Sequence, residues 1–244
     1  MFSAVQIRQV AVWVMALIGW VAVDSAQAAS MTVLPVTIHM QPGQMVTSLT
    51  IINPGQHQMA FQVRAFQWTQ QHDHSQLQPT SMLMASPPLG TIDPDARQVI
   101  RMALRVPPQQ KEASYRILVS QIPPPSAPGI VRIVLQMSIP IFAEPDVRVA
   151  PRVQWSIERR GNAFFLAAVN GGTCHETIRS LELTTPDGHV LKVDTNASPY
   201  ILAGATRRWR ISSAADLALG TDLHLTASTS DGRVDQSIHV TRSS

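Results

Sequence analysis

From residue 31 onward, apolar and polar residues alternate in short runs, and Pro, Gly, Asn and Asp separate the runs. Side chains of a strand point to alternate faces, so such alternation predicts β-strands. In the first half the runs are Met31–Met40, Val46–Ile52, Met59–Thr69, Ser81–Ala85, Arg97–Val106, Ser114–Ile122 and Ile130–Phe142. Pro35 interrupts the first run, which predicts an edge strand or one with a break, because proline cannot donate to a ladder. In the third run Phe61, Val63, Ala65 and Trp68 form the apolar set. In the fifth, Ile100, Met102, Leu104 and Val106 are the predicted core face.

The second half repeats the style. Its runs are Val153–Glu158, Phe164–Asn170, Arg179–Thr184, His189–Val193, Thr206–Ile211, Asp222–Ser228 and Arg233–Thr241. Thr185-Pro186-Asp187-Gly188 predicts a hairpin turn. Almost nothing after the N-terminus reads as helix. Many short strands with regular turn signals predict an all-β fold of two β-sandwich domains, residues 29–145 and 146–244, with 146–150 as the linker.

One run stands apart. In Ile130–Phe142, Val131, Ile133, Leu135 and Met137 share one face, and Arg132, Val134, Gln136 and Ser138 share the other. A core strand would turn the apolar face inward. A strand kept for a partner would leave the same face available. Alternation alone does not choose between them.

Composition changes the picture in two ways. The 244 residues are 45% hydrophobic and 14% charged, which suits globular domains with real cores and excludes a disordered chain. The net charge of +3 is diffuse, with no basic block and no aromatic series for base stacking, so nucleic acid is not an expected partner. The N-terminus reads as a cleavable export signal over residues 1–28: Arg8, an apolar run Val10–Val23, then Ala26-x-Ala28. That run is shorter than the ~20 residues of a spanning helix. The single cysteine, Cys174, cannot form an internal disulfide, so stability must come from packed cores.

Candidate chemistry is sparse. His72-Asp73-His74 is a polar loop that lacks a third metal-ligand partner nearby, so no metal is expected. Cys174 and His175 are chain neighbours; on an extended segment they point apart, and a free thiol is the plain reading. No serine elbow and no phosphate loop occurs, so neither catalysis, nor a nucleotide, nor any other cofactor is expected. More informative are Arg64, Arg101 and Arg116, each inside an apolar run. Either the head of such an arginine reaches water along the sheet rim, or it awaits an anion. No acidic partner stands within these strands, and an anion from another chain would fit.

Taken together, the first-half motifs resemble the periplasmic pilus chaperones of the chaperone–usher pathway, the PapD-like proteins. The resemblance rests on Phe61-Gln62-Val63-Arg64-Ala65-Phe66-Gln67-Trp68, Ser86-Pro87-Pro88, Ile92-x-Pro94 with Val99-Ile100-Arg101, and Ser114-Tyr115-Arg116-Ile117 with Ile122-Pro123. Leu135-Gln136-Met137-Ser138-Ile139-Pro140-Ile141-Phe142 completes it. The second half is similar only around Val169-Asn170-Gly171 and His175.

The resemblance implies two immunoglobulin-like sandwiches set at an angle. It also implies a periplasmic, non-enzymatic chaperone that lends a strand to pilus subunits and passes them to an outer-membrane usher. The donated side chains would be Val131, Ile133, Leu135 and Met137. Four buried aliphatic side chains represent a gross gain on the order of 6–12 kcal/mol before association costs. Basic residues would hold the subunit's C-terminal carboxylate. The best-known members use an arginine and a lysine at positions that here are Thr37 and Pro140. The Ser-Tyr-Arg and Ser-Ile-Pro-Ile-Phe patterns look more like the archaic branch, which implies Arg116 as anchor, with Arg101 or Arg64 as second cation. The alternative is an Ig-like structural or adhesive surface protein, which would not copurify with a small subunit as a 1:1 complex.

Overall fold

A computed structural model describes residues 31–71, 74–108, 110–124, 133–195, 198–212 and 217–242. The expected export signal, Val131, and the His72–Asp73 pair lie outside the described residues. The described residues are all-β.

Ten strands build the first domain: β1 (Thr32–Leu34), β2 (Ile38–Met40), β3 (Val46–Ile52), β4 (Met59–Gln71), β5 (His74–Pro79), β6 (Leu83–Ser86), β7 (Leu89–Ile92), β8 (Arg97–Leu104), β9 (Ala113–Ile122) and β10 (Gln136–Ala143). One sheet has the order β1-β3-β8-β6. The other runs β2-β10-β9-β4-β5, with β7 also on β4. The break expected at Pro35 is where the chain leaves β1 in the first sheet and enters β2 in the second. Inner faces meet in one core that includes Ile51, Phe61, Ile100, Met102, Ile117 and Ile141. Val106, grouped with that core by alternation, is instead exposed, because the strand ends at Leu104.

The second domain comprises β11 (Val153–Arg160), β12 (Ala163–Asn170), β13 (Glu176–Thr184), β14 (Val190–Leu191), β15 (Tyr200–Ile201), β16 (Thr206–Ile211), β17 (Asp222–Thr229) and β18 (Arg233–Arg242). Strand β18 pairs with β17 along most of its length and with β11 near its end. It thereby joins two sheet halves over a core that includes Ile157, Leu166, Leu183, Leu223 and Leu225. Gly188 takes a positive φ in the turn between β13 and β14, a conformation cheap only for glycine.

A third, smaller cluster lies between the domains. It contains Trp68, Phe142, Leu202 and Ala205, with Tyr200 against it. Strand β4 shows how it arises. Met59, Phe61 and Val63 are buried on the inner face, but past Ala65 the burial changes phase, and Trp68 and Gln70 are buried on the outer face. By sequence Trp68 falls in one apolar set with Phe61, but seven positions put it on the opposite face; the second domain is what covers it. Gln70 fixes the contact with two bonds: its Nε2 donates to the Tyr200 carbonyl at 2.8 Å, and its Oε1 accepts from the Leu202 amide at 3.0 Å.

Candidate functional site: the open edge of β10 and the interdomain cleft

Strand β10 is paired differently at its two ends. Along its whole length it is antiparallel to β9, from Gln136 opposite Ser120 to Ala143 opposite Ala113. The Leu135 carbonyl accepts from the Gln121 amide. Hydrogen-bonded positions alternate in an antiparallel ladder. Leu135, Met137, Ile139 and Ile141 therefore turn their backbone groups to β9, whereas Gln136, Ser138 and Pro140 turn theirs away. Strand β2 covers this outward edge only at Ile141–Ala143, in parallel pairing. Among the described residues no strand covers it along Gln136–Pro140. Pro140 has no N–H to leave unpaired, which suits an edge.

Side chains follow a gradient along the same strand. Ile139 and Ile141 are buried in the first core. Met137 and Leu135 are half-buried against it. Ile133, ahead of the strand, is 81% exposed. Gln136 and Ser138 on the other face are exposed. Of the single long strand expected over Ile130–Phe142, the described residues form strand from Gln136 onward, and the described part of its apolar ladder is exposed only at Ile133.

Beside the open edge stands Arg116 of β9, opposite Pro140 and Phe66. Its guanidinium stacks over Trp68, 3.9 Å from the ring centroid, and lies 5.8 Å from that of Tyr200. Its Nη1 donates to the Ser138 carbonyl at 3.5 Å and its Nη2 to Ser198 Oγ at 3.4 Å. Both bonds are long for a group with five N–H donors. No carboxylate among the described residues is within ion-pair distance of it. Burial pulls its pKa down, partly offset by Tyr200, and it remains a cation at any physiological pH.

The three candidate arginines are not gathered together. Arg64 sits on the same outer face of the same sheet, across β4, exposed, with its guanidinium 5.6 Å from the Phe66 ring centroid. Arg101 lies on β8 of the other sheet, exposed, between core residues Ile100 and Met102. That outer face is on the opposite side of a sandwich about 10 Å thick. Arg101 therefore cannot join Arg116 in one site.

Alternation gave no sign of the cleft's aromatic stack. Trp68 meets Tyr200 edge-on at 5.7 Å, Tyr200 meets Phe142 at 5.1 Å, and Phe142 stacks on His175 at 3.6 Å. His175 Nδ1 pairs with Glu112 at 2.8 Å, with side chains only 9% and 1% exposed. Glu112 comes from the first domain and His175 from the second, so this is a buried interdomain pair. The loop bearing His175 is held by Asn170, whose Nδ2 donates to the Cys174 and Ile201 carbonyls and whose Oδ1 accepts from Gly172. A Cβ on Gly172 would sit 2.5 Å from the Ala150 carbonyl, so only glycine lets the linker pack there. Cys174 is buried, not a surface thiol, and burial with nearby Glu112 pushes its pKa up. His39, stacked near Phe142 and His175, has its pKa lowered by burial first and by His175 second. The cleft beside these groups, about 360 Å³, is lined by Thr37, His39, Glu144, His175 and Tyr200 among others. His74 is exposed on β5, and no His, Cys, Asp and Glu among the described residues form a metal-holding group.

Residues 30–148 match the family described as pili and flagellar-assembly chaperone, PapD N-terminal domain. No curated protein sequence matches the chain significantly. Among solved structures, the chain is similar to one from the CsuC–CsuE chaperone–tip adhesion subunit pre-assembly complex of archaic chaperone–usher Csu pili of Acinetobacter baumannii. That match has 21% identity and a TM-score of 0.65, covering 88% of this chain and all of the other. The E. coli chaperone DraB matches with 21% identity and a TM-score of 0.57, covering 87% and 98%. The Pseudomonas aeruginosa CupB2 chaperone matches with 15% identity and a TM-score of 0.57, covering 86% and 100%. Residues 30–148, just under half of the chain, thus match the pilus-chaperone N-terminal domain family, and the two sandwiches follow the two-domain architecture of the solved chaperones.

Proposed function

We propose that this protein is a periplasmic, non-catalytic chaperone that completes pilus subunits by strand donation and delivers them to an outer-membrane usher. The observation behind this reading is the open edge of β10, which ends beside the Arg116 guanidinium, with no carboxylate among the described residues within ion-pair distance of it. Five residues, Gln136–Pro140, offer about 16 Å of edge at ~3.3 Å per residue. An unfinished partner can pair there through its main chain, while Ile133, Leu135 and Met137 supply side chains for its pockets. Val131 extends the same alternation by sequence.

Charge sets the direction. The edge stops where β2 begins, so an added strand must end there, next to Arg116. A strand parallel to β10 would bring its C-terminal carboxylate to the guanidinium; an antiparallel one would bring a cationic amine. Parallel addition is favoured by several kcal/mol at most, since a hydrogen bond to a charged group contributes about 1.5–3 kcal/mol. The family match of residues 30–148 and the fold shared with chaperones solved in complex with subunits support the chaperone role.

The test is copurification with a secreted pilus subunit. The wild-type chain is expected to yield a 1:1 complex, and Arg116→Ala to weaken it about 10–100-fold. A subunit whose yield is indifferent to Arg116→Ala removes the anchor, and no complex at all returns the chain to the surface-protein reading.

A further inference from the structure

We infer that the carboxylate anchor is completed from the second domain, with the Tyr200 hydroxyl donating beside the Arg116 guanidinium. This rests on the proposed strand-donation reading and names a group that reading leaves open.

Three observations converge on Tyr200. First, of the three candidate arginines only Arg116 adjoins the open edge: Arg101 is on the far sheet, and Arg64 is exposed and one strand further away. Arg148 and Arg179 line the cleft together with Thr37 and Tyr200. A carboxylate has about four lone-pair sites, so it can accept from donors beyond the Arg116 guanidinium. Second, Tyr200 bridges the right two points. Its ring centroid lies 5.8 Å from Arg116 Cζ, and its hydroxyl lies 3.5 Å from Thr37 Oγ1. Thr37 immediately precedes β2, so the hydroxyl stands where the open edge of β10 stops. Third, the hydroxyl has capacity to spare. The Thr37 contact is at the limit of a hydrogen bond, whereas the ring is held firmly between Trp68 and Phe142 and the backbone carbonyl by Gln70. A rigid ring with an underused O–H at the end of an edge is a preformed donor. Ser198, already touching Arg116, limits how far the guanidinium can swing.

The site is therefore shared: the first domain contributes the charge and the second the hydroxyl. The buried Glu112–His175 pair and the ring stack fix the two halves relative to each other. The ligand is a chain-terminal carboxylate on an extended strand.

The test uses the full mature chain and a fluorescently labelled ten-residue peptide of alternating valine and threonine, as free acid and as C-terminal amide. Binding is read by anisotropy. The wild type is expected to prefer the acid. Tyr200→Phe, which keeps the ring stack, should cut that preference about ten-fold and leave amide affinity unchanged. Thr37→Val, which frees the hydroxyl without removing it, should retain most of the preference. An unchanged acid preference in Tyr200→Phe, alongside its loss in Arg116→Gln, overturns the inference and leaves the anchor standing. Equal binding of acid and amide by the wild type, or binding of neither, overturns both.

Discussion

The two ends of β10 have the same alternation and opposite fates. At Ile141–Ala143 the strand is paired on both edges, by β9 and β2, and Ile141, Phe142 and Ala143 are buried. Eight residues before Ile141 the apolar phase is unchanged, but Ile133, just ahead of the strand, stands in solvent, and along Gln136–Pro140 no strand among the described residues covers the outer edge. Burial along a strand is decided by what lies across from it, not by its own pattern. The closed end ties the strand into the fold; the open end is what the fold leaves for another chain.

The largest effect that separates the two ends is on stability. Ile141→Ala is expected to cost about 2–5 kcal/mol in urea unfolding, the range for emptying a packed core site. Ile133→Ala should stay within about 0.5 kcal/mol of wild type. Equal losses would erase the distinction. The next effect is on binding and reverses the order. Ile133→Asp should weaken subunit capture about 10–100-fold, the equivalent of one aliphatic side chain left unburied. Its melting temperature should match wild type; retained capture would remove Ile133 from the donated set.

A smaller effect concerns pH near the closed end, where His39 pairs along Phe142. Its pKa is lowered from 6.5 in the fold, by burial and His175, against the opposing pull of Glu112 and Glu144. The unfolded chain then binds the proton first, so stability is full above about 6.5 and declines as pH falls toward the folded value. The slope should be shallow, because His39 keeps a side open to water, and His39→Gln should flatten it in thermal melts between pH 5 and 8. A slope unaltered by His39→Gln assigns it to other groups. The smallest effect belongs to Arg101→Ala, expected to change subunit affinity less than about two-fold, since it faces away from the cleft. A loss matching that of Arg116→Ala would mean the outer face of the first sheet also meets the partner.

Much of this was legible without coordinates. Local alternation and turn chemistry are properties of short segments, so β3, β8, β9 and β12 stand close to where the runs place them. The Pro35 break was readable because proline's missing N–H is a local fact. The candidate site was half legible. An arginine inside an apolar strand advertises an unmet charge, and Arg116 indeed has no anion beside it among the described residues. The interdomain stack was not legible. Trp68 and Phe142 sit on outer faces and are buried only because residues more than thirty positions away cover them.

By itself the sequence determined most of the strands, the all-β class, and the run of apolar residues leading into β10, since each depends on neighbours within a few positions; β5, β7 and β15 lie outside the runs that alternation marks. Only the tertiary structure decided which of the three candidate arginines stands beside the open edge, which edge stays open, and that Tyr200 of one domain meets Arg116 of the other. Those outcomes depend on pairings between distant segments, and a period-two pattern is the same whichever partner a strand finds.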